Sequence, residues 1–233
     1  HNAHRRQRQM CIRDRFRNVN YKTSGSTSDI TNFSVNKKYN FFNPKGGLNY
    51  LFNKHNNLYF SFARSNREPT RSDYESNPNI RSEQLNDFEL GWSLTKKKFN
   101  VTTNFYMMQY KDQLVLTGSI DDVGTPVREN SGESYRMGLE VETVFNLSDK
   151  ISILANSAFS DNKNKNFVTS IDGELVNLGK TNISFSPEIV LSVNLLYSPK
   201  ENMEFSILNK YVGEQYMSNT CLLYTSPSPR DPE

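Results

Sequence analysis

Three groups of side chains in this sequence have the types and spacing to do chemistry. The first is Arg64, Arg67, Glu68, Arg71, Asp73, Tyr74 and Glu75. Guanidinium forks match carboxylates, phosphates and other anionic oxygens, and a tyrosine hydroxyl adds a donor. Arg64, Arg67, Arg71 and Tyr74 are therefore candidates to grip an anionic ligand from a loop. The competing reading is a solvated loop tied to its neighbours by salt bridges.

The second group recurs at every second position: Tyr106, Met108 and Tyr110, then Arg136, Glu140 and Glu142. In an extended chain each set shares one face, which suits either the lining of a lumen or plain strand residues. Paired carboxylates such as Glu140 and Glu142 can act as acid and base, and equally can face water or another protein surface. The third group, Asp121, Asp122, Glu129 and Glu133, offers the hard oxygens Ca²⁺ prefers, without the spacing of a known calcium loop.

Enzyme signatures are missing: there is no Gly-x-Ser-x-Gly and no phosphate-binding glycine loop. The sequence predicts no enzyme, no cofactor and no metal centre.

The two ends alter the charge arithmetic. DNA encoding Met10–Asp14 can be written as the reverse complement of a stretch encoding Cys221–Ser226, the pattern of an adapter read as coding sequence. Residues 1–15 and 221–233 are accordingly expected to be adapter-derived and disordered, leaving 16–220 as the folding unit. The head carries five arginines against one aspartate, and the tail one arginine against two acids, so the whole net charge of +3 resides in the ends. The remaining 22 basic and 22 acidic side chains give no basic surface for nucleic acid. Both cysteines lie in the set-aside ends, and only His55 remains between them, which rules out disulfide frameworks and Cys/His metal clusters.

The elements that must position these groups are strands. Met137, Leu139, Val141, Thr143 and Phe145 alternate with Arg136, Gly138, Glu140 and Glu142. The series Ile183, Phe185, Pro187, Ile189, Leu191, Val193, Leu195 and Tyr197 alternates with polar residues over a still longer run. A helix would not keep period 2 for so long. Short polar turns at 54–57, 96–98, 148–150 and 198–202 alternate with long polar loops at 65–84, 118–133 and 161–181. Apolar-out and polar-in alternation, strands longer than those of soluble sandwiches, short turns and long loops together fit an outer-membrane barrel. Tyr59, Phe99, Phe145 and Tyr197 near strand ends fit its aromatic girdles. The expected fold is all-β: an antiparallel up-and-down transmembrane β-barrel, partial, with about eight to nine strands of a larger barrel. Eight are expected from Asn43 onward and one more around Phe33–Phe42.

Several strings in order carry a family resemblance: Phe60–Thr70 with its Arg-Glu-Pro-Thr end, Leu85–Trp92, Asn104–Leu114 and Tyr135–Glu140. They resemble the C-terminal part of the barrel of a TonB-dependent outer-membrane receptor. The resemblance implies a fragment of a receptor for active import of a scarce nutrient, foremost a ferric siderophore or similar iron chelate, otherwise haem, cobalamin or a glycan. It also implies a Gram-negative outer membrane, contact with its lipid, and energy from the TonB complex acting on a plug domain absent from this sequence. Tyr106, Tyr110, Arg136, Glu140 and Glu142 would face the lumen. The alternatives are a passive porin-like barrel and a secreted β-rich adhesin.

Overall fold

The computed structural model describes residues 8–26, 32–120, 126–171 and 174–219. Among them lie twelve strands and one short helix. The order is β1 (Arg8–Gly25), β2 (Phe33–Asn53), β3 (Asn56–Arg67), α1 (Arg71–Ser76), β4 (Glu83–Thr95), β5 (Phe99–Lys111), β6 (Leu114–Ile120) and β7 (Pro126–Asn130). It continues with β8 (Glu133–Ser148), β9 (Ile151–Ile171), β10 (Glu174–Asn182), β11 (Ile189–Lys200) and β12 (Met203–Val212). One antiparallel sheet follows the order β1-β2-β3-β4-β5-β8-β9-β11-β12, with β10 also on β9; β6 and β7 form a separate hairpin. Along this path the strands keep their chain order, with β6, β7 and β10 passed over, which is the up-and-down order of a barrel wall.

Register turns the period-2 pattern into two surfaces. Leu48, Phe60, Leu90, Phe105, Leu139, Phe159 and Ile189 occupy one row of directly paired residues across seven strands. All seven are exposed, from 38% at Ile189 to 48% at Leu90. A soluble protein does not leave such a contiguous apolar belt in water; against lipid the same belt is at home. On the opposite parity stand Glu89, Asn104, Tyr106, Glu140 and Asn156, the polar concave face. Among the described residues no helix is long and apolar enough to cross a membrane.

One end of the sheet has tight turns at 54–55, 96–98, 149–150 and 201–202. The other carries long connections, which in such barrels lie on the outer side. Little of the sheet is buried. The core sits at the outer end, where Phe33, Tyr74, Ile80 and Leu114 pack together with Tyr21 and Val35 at its margin.

Within the sheet the structure departs from the sequence expectations at several places. Residues 33–42 are not a separate strand but the outer half of β2, and the ninth span is β1. Arg8–Arg15, expected to be disordered, are extended and pair with β2 from Tyr50 back to Asn43. Ladder bonds use backbone groups alone, so a segment of suitable length and parity completes a strand edge whatever its origin. Residues 1–7 and 221–233 lie outside the described residues. Within the expected loop over Asp161–Thr181 the described residues, 161–171 and 174–181, are strand, with β9 and β10 paired from Lys163–Asn182 to Ile171–Glu174. Tyr59 is not a girdle residue: it pairs with Gly91 on the concave face, as its offset from Leu58, Phe60 and Phe62 already required.

Candidate functional site: the concave wall and the outer lobe

Two Tyr-Gly pairs build the concave wall. Tyr59 on β3 lies across Gly91 on β4, and its hydroxyl donates to Asn104 Oδ1 on β5 at 2.9 Å. An added Cβ on Gly91 would meet the Tyr59 ring at 1.9 Å. Tyr106 on β5 lies across Gly138 on β8 in the same way and bonds Ser160 on β9. Here the added Cβ would be 2.5 Å from the Phe159 carbonyl oxygen and 2.7 Å from the Tyr106 hydroxyl. Glycine inside a strand marks a close approach, and a ring laid over it restores the packing the missing side chain lacks. The Glu-x-Gly and Gly-x-Glu strings of the sequence owe their glycines to this.

Beside Tyr106 opens a cavity of about 410 Å³, lined by Glu89, Asn104, Met108, Arg136 and Glu140 on the strands and by Phe185, Ser186 and Pro187. Of the expected lumen residues, Tyr106, Arg136 and Glu140 meet here. Tyr110 stands beside Arg136, while Glu142 lies one rung deeper, opposite Thr102 and Asn156. Glu140 accepts from Asn104 Nδ2 at 3.5 Å, and Glu89 from the Ser61 hydroxyl at 3.2 Å. No reacting group is poised by any of these contacts.

The 183–188 side of this lining was not legible as such. Ile183, Phe185 and Pro187 share the parity of the lipid-facing series in β11, yet 183–188 leaves the ladder and turns inward. Pro187 has no N–H for a ladder bond. Phe185 adopts φ 52°, a left-handed conformation that costs a non-glycine residue about 1 kcal/mol. Pro187 was the available signal.

The outer lobe collects the loop arginines without making them converge. Arg64 is two residues beyond Phe62 on the outward face, and its Nε donates to Asn86 Oδ1 at 2.8 Å. Arg67 lies 3.7 Å from Glu83. Arg71 pairs with Glu75 at 2.7 Å and stands 5.8 Å above the Phe33 ring. Tyr74, a candidate ligand contact by sequence, is fully buried: its hydroxyl bonds that of Tyr39, and its ring meets Tyr21. Burial, helped by the Tyr39 bond, pushes that hydroxyl well above the usual tyrosine range. Tyr74 is an anchor of the loop and has no face left for a ligand.

The Arg-Glu-Pro-Thr string explains how the loop is held. Glu68 pairs with Arg17 of β1, Pro69 is fully buried, and Thr70 caps α1. The Thr70 hydroxyl accepts from Asp73 N, and Asp73 Oδ2 accepts from Thr70 N at 2.8 Å, a reciprocal box. Arg81 then ties this loop to the next through Asp112 at 2.7 Å and through the Asn130 side chain. The two long outer connections thus form one docked lobe. Of the acidic group, Asp121 and Asp122 lie outside the described residues, Glu133 pairs with Lys165 at 2.8 Å, and burial raises the Glu129 carboxyl. Among the described residues no three metal-ligating side chains come together.

Residues 14–230 match the family model for the TonB dependent receptor-like β-barrel. No curated protein matches the chain. The siderophore receptor PiuA from Acinetobacter baumannii shares its fold at TM-score 0.71 and 17% identity, over 90% of this chain and 31% of that one. The ferric-catecholate import receptor Fiu from E. coli K12 does so at 0.60 and 15%, over 90% and 32%. The copper transporter OprC stands at 0.63 and 15%, again over 90% and 32%. At these identities the likeness is one of fold, and the chain spans about a third of the length of each. A family match that reaches every strand from β1 to β12 leaves one conclusion: the chain belongs to the TonB-dependent receptors, as a portion of their β-barrel.

Proposed function

We propose that this chain forms part of the wall of an energised importer in the outer membrane of a Gram-negative bacterium, with an iron chelate as its cargo. The observation that carries the reading is the continuous polar concave wall, with its cavity, next to an ordered outer lobe. A receptor needs fixed outer groups to capture a dilute ligand and a wetted interior to pass it inward. The names of its structural neighbours, two iron-chelate receptors and a copper transporter, favour a metal-linked cargo, and iron chelates recur among them. Lipid would cover the apolar belt. The TonB complex would act through a plug domain, and the chain's residues would bind and guide without making or breaking covalent bonds.

The test is uptake of radiolabelled ferric chelates by iron-starved cells with and without the whole receptor. The reading expects saturable uptake that an uncoupler or loss of TonB abolishes. Uptake of small solutes that ignores both treatments and never saturates would instead favour a passive pore and sink the proposal.

A further inference from the structure

At the end of the sheet with tight turns, lysines gather without acids to answer them. The β2–β3 turn carries Lys54, and the β4–β5 turn carries Lys96, Lys97 and Lys98, all exposed. Neither 46–67 nor 90–111 contains an acidic residue. Among the described residues none of these four ammonium groups enters an ion pair. The two later tight turns differ, for they set Asp149 beside Lys150 and Glu201 beside Lys200.

The backbone holds the two lysine turns together. Thr95 N donates to the His55 carbonyl at 2.9 Å, and His55 Nδ1 donates to the Thr95 carbonyl at 2.8 Å. Lys96 N donates to the Phe99 carbonyl at 2.9 Å, and Asn146 N on β8 to the Lys98 carbonyl at 2.8 Å. Four adjacent strands span only about 15 Å, so the four charges crowd one short arc of the rim. Strands of this chain flank that arc on both sides, β2 before it and β8 after it.

The arc adjoins the lower edge of the apolar belt. Phe99 and Phe145 are paired across β5 and β8 with the outward parity of Phe105 and Leu139, and their rings stack 6.1 Å apart. Lys96 Nζ stands 5.4 Å from the centre of the Phe99 ring. Rings at this level mark the headgroup zone of a bilayer. Lysine stems lie along apolar surface and carry their charge into that zone, and basic clusters next to an apolar face attract anionic headgroups.

We propose that Lys54, Lys96, Lys97 and Lys98 bind the phosphate of an anionic glycerophospholipid in the leaflet beside the tight turns, its acyl chains lying against Phe99 and Phe145. The proposal goes beyond the transport reading. It rests on the belt facing lipid and is independent of the cargo.

The test places a bimane at the outward end of β8 through Leu147→Cys, as the sole reactive cysteine of the whole receptor in phosphatidylcholine vesicles. Doxyl-labelled phosphatidylglycerol and doxyl-labelled phosphatidylcholine are then compared as quenchers, with heat-modifiable mobility confirming the fold of each variant. Phosphatidylglycerol is expected to be preferred about fivefold or more, the effect of a few lysines at an anionic surface. The combined variant K54Q/K96Q/K97Q/K98Q should bring the ratio close to parity, and K54R/K96R/K97R/K98R should keep it. Raising the salt around wild type should lower the ratio without any substitution. Equal quenching by the two lipids in wild type, or a preference that survives the glutamine variant, overturns the site. A glutamine variant that keeps the preference but loses chelate uptake would assign the lysines to a protein partner instead, and equally overturns it. Quenching by neither lipid would sink the lipid-facing reading of the belt along with the site, whereas equal quenching sinks the site alone.

Discussion

Gly138→Val is expected to cost about 3 kcal/mol or more, the upper range for overpacking a fixed site. The Cβ of any other residue at 138 would sit 2.5 Å from the Phe159 carbonyl oxygen. That oxygen belongs to β9, which is held by β8 on one edge and by β10 and β11 on the other. It cannot yield without opening a ladder. At Gly91 the nearest obstacle is the Tyr59 ring, which can swing away and forfeit its bond to Asn104. Tyr59→Ser should therefore rescue most of the loss in Gly91→Ala, while Tyr106→Ser should not rescue Gly138→Ala. Urea midpoints in detergent, with heat-modifiable mobility as the sign of a folded barrel, measure both. Equal rescue at the two sites would contradict the distinction between a side-chain and a backbone obstacle.

The second large effect concerns the outward face. Val141→Arg should destabilise by about 2 to 4 kcal/mol, the cost of a cation on a lipid-facing barrel site near mid-membrane. Val141 pairs with Thr103 and Ser157, and Ser157 with Leu191, so Leu191→Arg in the same row should behave alike. Glu142→Arg is one residue away on the wet face and should change stability by less than about 1 kcal/mol. The same refolding assay reads all three. If Glu142→Arg were as damaging as Val141→Arg, the two faces would not differ as the register requires.

What the sequence disclosed follows from where lipid imposes a pattern. Along Arg136–Phe145 one face must be apolar and the other wet, so each residue announces its side, and the strand and both faces could be read directly. Above the lipid that constraint ends. In Asp161–Asn166 both faces are polar, and the run looks like a loop although the backbone ladder continues through it. Asn43-Pro44-Lys45-Gly46-Gly47 looks like a break, yet β2 passes straight through.

The candidate site divides in the same way. Tyr106, Arg136 and Glu140 share one face of the sheet because parity alone decides that. Tyr74 was misjudged because its neighbours, Asp73 and Glu75, suggest an exposed turn, whereas a six-residue helix held by a capping box turns its ring onto Tyr21 and Tyr39. Tertiary packing decided that residue, and no local pattern carries the information. The inward turn of 183–188 was hidden because its residues keep the parity of β11, and only Pro187 contradicted it.

The central claim is that β8 separates lipid from a wetted lumen residue by residue. The direct measurement is a nitroxide scan of the whole receptor in bilayers, one label at a time from Arg136 to Phe145, comparing collision with oxygen and with a water-soluble nickel chelate. Alternation is expected, with oxygen favoured at 137, 139, 141, 143 and 145 and the nickel chelate at 136, 140, 142 and 144; Gly138, where a side chain would strike the Phe159 carbonyl, is left unlabelled. Uniform access of the nickel chelate along the strand would contradict it, and would mean that the apolar belt faces water.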